Sequence, residues 1–231
     1  MSIKFRKSFV VSACVVGLAA VAGSLVTAQP TKDAKPATQP GKDAKHAPAA
    51  GQPEMQLPPG WTSEDMEACT KAGTPGKMHQ DLAKDVGVWR GQTTMWMGPG
   101  MDPMPKSECT DTVSLAMDGR FLKCEMAGDI PGMGPFTGLG FTGFDNVTQK
   151  YVGTWMDNHS TGIMTGVGEA SQNGKVMTWN FTYNCPITKK TAVMRQVETR
   201  TSDTAKTLDM FTTDPKSGKE YKCMHIEFTK K

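Results

Sequence analysis

The sequence lacks the short motifs by which common enzyme classes are recognised. It contains no G-x-S-x-G, H-E-x-x-H, phosphate-binding loop or dinucleotide fingerprint, so no pattern indicates a serine hydrolase, a zinc protease or a nucleotide-dependent enzyme. Histidine is also scarce, because beyond residue 60 the chain has only His79, His159 and His225. A catalytic or metal site would have to use few imidazoles.

Closely spaced cysteine pairs are absent as well. The five cysteines beyond Cys14 show no C-x-x-C or zinc-finger spacing, which argues against structural zinc; they are Cys69, Cys109, Cys124, Cys185 and Cys223. An odd number allows at most two disulfides with one thiol left over. The spacing leaves the pairing open.

Excess charge of either sign is missing from most of the chain. The formal net charge is +3, and residues 1–28 hold three basic residues and no acidic ones. The remainder is therefore neutral, without the basic footprint that nucleic acid or an anionic membrane surface would require.

The one long apolar run lies at the N-terminus. Lys4, Arg6 and Lys7 precede apolar residues 9–26 and a small-residue site ending at Ala28, a pattern typical of a secretory signal peptide. We therefore predict a signal peptide over 1–28 and export to a bacterial periplasm or the exterior, with an uncleaved membrane anchor as the alternative. The Ala-, Pro- and Lys-rich residues 29–60 predict a disordered linker, and 61–231 predict one domain.

Periodicity within 61–231 predicts a mainly β fold. Cap and stop signals indicate two short helices over 63–72 and 77–86, and an alternation of period two begins at Val88. Ten short runs predict strands, with no long helix between them: 88–97, 108–117, 120–127, 138–144, 150–157, 162–170, 176–183, 191–201, 207–212 and 220–229. We expect a single antiparallel meander closed into a β-barrel of about ten strands.

Several motifs together resemble a known bacterial family. They are residues 74–79 (TPGKMH), 87–89 (GVW), 95–97 (MWM), 118–122 (DGRFL), 140–146 (GFTGFDN) and 150–151 (KY), with Leu82, Trp155 and Asp157. This set is similar to Domain of Unknown Function 1579 over roughly 64–230. The resemblance implies a lipocalin-like or calycin-like barrel of exported proteins, with no assigned activity. The family-motif positions are His79, Trp89, Gly119, Arg120, Asp145 and Asp157, and Trp89 is expected to close one barrel end by packing.

Methionine is abundant, with 17 residues, and four of them cluster at Met95, Met97, Met101 and Met104. Thioethers select Cu(I), so this cluster is one hypothetical copper site. Methionines also recur along the predicted strands, which favours adaptable packing or an apolar pocket. We predict no cofactor, and Cu(I) or a haem held by a single histidine stay as alternatives.

The favoured function is a non-enzymatic barrel that binds a small apolar or amphipathic molecule. The predicted pocket residues are Trp96, Arg120, Tyr151, Trp155, Met164, Met177 and Trp179. One alternative is a small periplasmic enzyme using Asp157, His159 or His79, although no catalytic residue is assigned. Another is a packed barrel that serves as an interaction module. The oligomeric state is left open.

Overall fold

The computed structural model describes residues 57–231 of the chain. The predicted signal peptide, and the predicted linker up to residue 56, lie outside the described residues. Between residues 57 and 231, no helix is both long and apolar enough to cross a membrane. Residues 69–231 form one compact unit, and residues 57–68 belong to another.

Two short helices precede the strands. Helix α1 spans Ser63–Gly73, and its start is capped because Asp65 N donates to Thr62 Oγ1 while Thr62 N donates to Asp65 Oδ2. Helix α2 spans Lys77–Leu82 and continues as a 3₁₀ turn over Ala83–Asp85. The second predicted helix is thus shorter than expected, because its last turn tightens before Val86 leads into the first strand.

Ten antiparallel strands follow and close into a barrel in which each strand pairs with its sequence neighbours and the last pairs with the first. They are β1 Gly87–Met95, β2 Ser107–Ala116, β3 Phe121–Ile130, β4 Gly134–Asp145, β5 Lys150–Asp157, β6 Met164–Ala170, β7 Val176–Asn184, β8 Thr191–Ser202, β9 Ala205–Thr213 and β10 Glu220–Lys230. This topology confirms the predicted ten-stranded meander barrel. Closure leaves no unpaired sheet edge.

Alternation along the strands sets which side chains point inward. On β1, Trp89, Thr93 and Met95 are buried while Arg90 and Gln92 are exposed, as the period of two predicts. The strand ends at Met95, two residues earlier than expected, so Met97 lies beyond the ladder.

The inner wall of β4, β5 and β6 is rich in glycine because large rings lie against it. A Cβ atom added at Gly138 or Gly140 would come within 2.8 Å of the Trp155 ring. One added at Gly166 would come within 2.7 Å of Phe181, and one at Gly168 within 2.7 Å of Trp179. These glycines make room for inward-pointing aromatic rings.

One end of the barrel, here called the helical end, is closed by α2 and the 3₁₀ turn. Trp89 is fully buried there, and its Nε1 donates to the backbone oxygen of Asp85 at 2.8 Å. Leu82 and Val86 pack on the same core cluster as Trp89, Ile226 and Phe228. Trp89 therefore occupies the packing position that the family resemblance implies.

Candidate functional site

A cavity of about 260 Å³ lies inside the barrel. Its lining is dominated by sulfur-containing and aromatic side chains. The sulfur-containing residues are Met95, Met97, Met126, Met164, Met194, Met210, Met224, Cys109, Cys124 and Cys223, and the aromatic ones are Trp96, Phe136, Trp155, Trp179, Phe181, Tyr221 and Phe228. The volume is slightly below the usual range for drug-sized ligands, so the space suits a small molecule.

Four of the seven predicted pocket residues line this cavity: Trp96, Trp155, Met164 and Trp179. Trp96 follows the end of β1, and its backbone N donates to Cys223 O. Trp155, Met164 and Trp179 lie at inward positions of β5, β6 and β7, where Trp155 pairs with Met164. Gly168, which pairs with Trp179, lies on the same face of β6 as Met164, so the three side chains share the inner face of the sheet.

Arg120 lies elsewhere, and its place differs from the predicted pocket position. It belongs to the exposed turn between β2 and β3, where Gly119 has φ +81°. Its Nε donates to Gly73 O at 3.1 Å, and its Nη1 donates to Met117 O. The turn extends one residue further than predicted, so Arg120 precedes β3 and ties that turn to the C-terminal end of α1.

Tyr151 and Met177 face the barrel interior but belong to its packed half. Tyr151 is buried, its ring meets Phe144 edge-on, and its hydroxyl donates to Met78 Sδ of α2 at 3.3 Å. Met177 packs in the same aromatic cluster, which is centred on Tyr151, Trp179 and Phe181. These two residues fill the helical end beneath α2, and the cavity begins beyond them.

The remaining family-motif residues have structural contacts. His79 is buried in α2, accepts a hydrogen bond from Gly76 N at Nδ1 and meets Phe144 edge-on. Asp145 organises the turn after β4 by accepting from Val147 N and Thr148 Oγ1, and these bonds lower its pKa. These residues shape turns and the helical end of the barrel.

Asp157 and His159 lie together at the end of the barrel opposite the helices. The rings of Trp155, Phe136 and His159 form a stack, here called the aromatic stack, with centroid spacings of 6.4 and 5.8 Å. Asp157 accepts from Trp155 Nε1 at 3.1 Å and from His159 N at 3.0 Å. His79 lies at the helical end, so the three residues of the enzyme hypothesis do not converge.

Sequence reasoning missed a group of charged side chains at the helical end of the cavity. Its five members, here called the charged cluster, are Asp85, Asp111, Glu198, Arg200 and Lys206, of which Asp111, Glu198 and Lys206 line the cavity. Lys206 Nζ lies 3.2 Å from Glu198 Oε2 and 3.5 Å from Asp85 Oδ2, and 4.8 Å from the Trp89 ring centroid. Arg200 forms an ion pair with Asp85. The one sequence signal for this cluster is the alternation on β2, which places Asp111 on the same strand face as Cys109 and Val113.

Asp111 is only 7% exposed, and its Oδ1 has no hydrogen-bond partner among the described residues. Burial raises the pKa of Asp111 to about 6, with Lys206 acting in the opposite direction and Glu198 adding to the rise. A buried carboxyl group without a partner is energetically costly. Asp111 therefore places in the cavity wall a buried oxygen that a polar group of a ligand could satisfy.

The five cysteines among residues 57–231 are all free thiols. Burial raises the pKa of Cys124 and of Cys223 to about 12, and it also raises the pKa of Cys109. The three cavity thiols therefore stay protonated at neutral pH, which keeps this wall uncharged.

The four clustered methionines divide between two environments. Met95 and Met97 line the cavity, whereas Met101 is half exposed in the loop after β1. Met104 N donates to Met95 O at 2.8 Å, which holds the loop against the strand end. Over residues 57–231, no group of three or more His, Cys, Asp or Glu side chains is placed to hold a metal ion. That the protein uses no cofactor stays a prediction, with Cu(I) and haem as its alternatives.

The family model described as "Protein of unknown function (DUF1579)" matches residues 74–230, which confirms the resemblance inferred from the motifs. Among solved structures, Rv2717c from M. tuberculosis is 12% identical with a TM-score of 0.49, covering 68% of this chain and 99% of that one. The S-type phycobiliprotein lyase CPES from Guillardia theta is 6% identical with a TM-score of 0.48, covering 71% and 96%. No curated protein matches the sequence.

Proposed function

The chain belongs to the DUF1579 family, and we propose that it is a non-enzymatic binding protein whose barrel takes a small, mainly apolar molecule. The observation that carries this proposal is the cavity of about 260 Å³ inside a closed barrel. A packed interaction module would have its interior filled with side chains. Family membership supplies no activity, so the proposal depends on the cavity.

The cavity lining supports an apolar ligand of irregular shape. Seven methionines contribute flexible, polarisable thioethers, which adapt to different ligand surfaces and make favourable contacts with aromatic groups. The Trp155 and Trp179 rings lie against glycines of the wall, so they offer rigid flat surfaces beside these flexible side chains. Such a lining favours binding through shape and dispersion forces.

The contacts of Asp157 support a structural role. Its two carboxylate oxygens accept hydrogen bonds, one from Trp155 Nε1 and one from His159 N. These two bonds fix the orientation of the aromatic stack.

Export is part of the proposal and has its own test. If residues 1–28 act as a cleaved signal, protein recovered from the cell envelope should begin at Gln29, and its intact mass should lack residues 1–28. A full-length mass in the cytoplasmic fraction would contradict export without affecting the binding proposal.

Binding is tested with N-phenyl-1-naphthylamine, a neutral apolar dye whose fluorescence rises in apolar surroundings. Three of the five tryptophans line the cavity, namely Trp96, Trp155 and Trp179, so energy transfer from tryptophan should report dye inside the barrel. We expect saturable binding with one dye per chain.

A pair of matched variants tests the location of the dye. Thr142 and Thr137 lie on β4 on opposite faces: Thr142 lines the cavity, and Thr137 is exposed. Thr142→Phe should fill the cavity and weaken dye binding at least about tenfold, whereas Thr137→Phe should leave it unchanged. Equal affinity in both variants, or no saturable binding to the wild type, would overturn the proposal.

A further inference from the structure

Two buried side-chain atoms in the described residues have no hydrogen-bond partner, and both belong to residues that line the cavity. They are Asp111 Oδ1 in the charged cluster and His159 Nε2 in the aromatic stack. The large majority of buried polar side-chain atoms in proteins have a hydrogen-bond partner. Their coincidence in one cavity indicates that a bound molecule supplies polar contacts that the protein lacks.

The surroundings of Asp111 indicate the charge of that contact. The charged cluster contains three carboxyl groups and only two basic groups, and both basic groups already form ion pairs: Arg200 with Asp85, and Lys206 with Asp85 and Glu198. The thiols nearest to Asp111 in electrostatic terms, Cys109 and Cys124, are protonated. Asp111 is thus the carboxyl group left over, in a site that lacks one positive charge.

We propose that the cavity selects small apolar molecules ending in a protonated amine, whose N–H groups donate to Asp111. This inference rests on the proposed binding function and specifies its ligand class. An ammonium group supplies both the missing donor and the missing positive charge. A hydroxyl group supplies only the donor, and a carboxylate adds a further negative charge beside Asp111 and Glu198.

The proposal carries a definite pH dependence. The ionised form of Asp111 binds the amine, and burial raises its pKa to about 6. Amine affinity should be constant above that pH and fall about tenfold for each pH unit below it, because the proton and the ligand compete for one carboxylate. The ionisable groups around Asp111 are Glu198, Lys206, Cys109 and Cys124, and the Asp111→Asn variant should abolish the fall in affinity.

The experiment compares three ligands of similar size, 2-phenylethylamine, 2-phenylethanol and phenylacetate, by calorimetry on the purified chain. At pH 8 the amine should bind at least about tenfold more tightly than the alcohol, as a charge-assisted hydrogen bond exceeds a neutral one, and phenylacetate should bind most weakly. The Asp111→Asn variant should bind 2-phenylethylamine only as tightly as 2-phenylethanol. The matched control Asp118→Asn, whose side chain is 98% exposed, should keep the full preference.

The outcomes separate this inference from the proposed function. A wild type that binds the naphthylamine dye but prefers phenylacetate, or shows no preference, would overturn the amine site and leave the binding function standing. An amine preference that persists in Asp111→Asn would also overturn it. If that variant fails to fold, the fall in amine affinity of the wild type below pH 6, absent for the alcohol, decides the question alone.

Discussion

The two ends of the cavity each contain an aspartate, and their carboxyl groups are used differently. At the end opposite the helices, Asp157 accepts hydrogen bonds at both oxygens from Trp155 and His159. At the helical end, Asp111 Oδ1 accepts none from the described residues. The first carboxyl group holds the aromatic stack in place, and the second remains available to a ligand.

The same contrast extends to the side chains around each aspartate. The helical end has a fully buried Trp89 and the ion pairs of Lys206 and Arg200, whereas the aromatic stack is only partly buried. Stability should therefore depend mainly on the helical end. Asp111 lies within that stable and closely packed region. Neighbouring side chains there are not free to move and form a hydrogen bond with its Oδ1.

The largest expected effect tests that division of stability. Trp89→Ala removes a fully buried ring and its hydrogen bond to Asp85 O, and should lower the free energy of unfolding by about 3–5 kcal/mol. Phe136→Ala, in the partly buried aromatic stack, should cost about 2 kcal/mol from its lost burial and ring contacts. Urea unfolding followed by far-ultraviolet circular dichroism measures both. If Phe136→Ala lowered the free energy of unfolding more than Trp89→Ala, the aromatic stack and not the helical end would contribute more to stability.

A smaller effect should appear in the pH dependence of stability. The pKa of Asp111 is raised from 3.8 to about 6, so the folded state binds a proton more tightly than the unfolded state. The stability gained from this proton is fully present below pH 3.8 and is lost as the pH rises to about 6. The loss is about 3 kcal/mol for a shift of this size.

Asp111→Asn isolates this contribution because it removes the titrating group. The wild-type stability minus the variant stability should fall between pH 4 and pH 6 and stay level above that range, in urea titrations at matched salt. Asp118→Asn serves as the control and should show no such trend. A difference independent of pH would mean that Asp111 ionises as an exposed aspartate does, contrary to its burial.

The residues of these two ends differ in how far the sequence could predict them. Period-two alternation was enough to predict the ten strands and to place Trp89 and Met95 on one face of β1, since it is a local property of the strand. It did not decide which face points inward. The charged cluster joins Asp85, β2, β8 and β9, and its two ion pairs with Asp85 connect residues more than 100 positions apart. No local pattern encodes those contacts. Arg120 was misplaced for a different and local reason, because the turn before β3 ends one residue later than predicted.

The smallest expected effect concerns the glycine wall behind the aromatic stack. A Cβ atom at Gly140 would lie 2.8 Å from the Trp155 ring and 2.9 Å from Thr154 O. Gly140→Ala should therefore displace the ring and cost about 1–3 kcal/mol. Gly162→Ala is the matched control, because its Cβ would meet only Ser160 Oγ at 3.6 Å. In urea unfolding, its stability should be close to that of the wild type.

The dye should bind more weakly to Gly140→Ala, since Trp155 is one wall of the cavity. If Gly140→Ala kept wild-type stability and dye affinity, Trp155 would have to be free to move, and Asp157 would not be holding the stack.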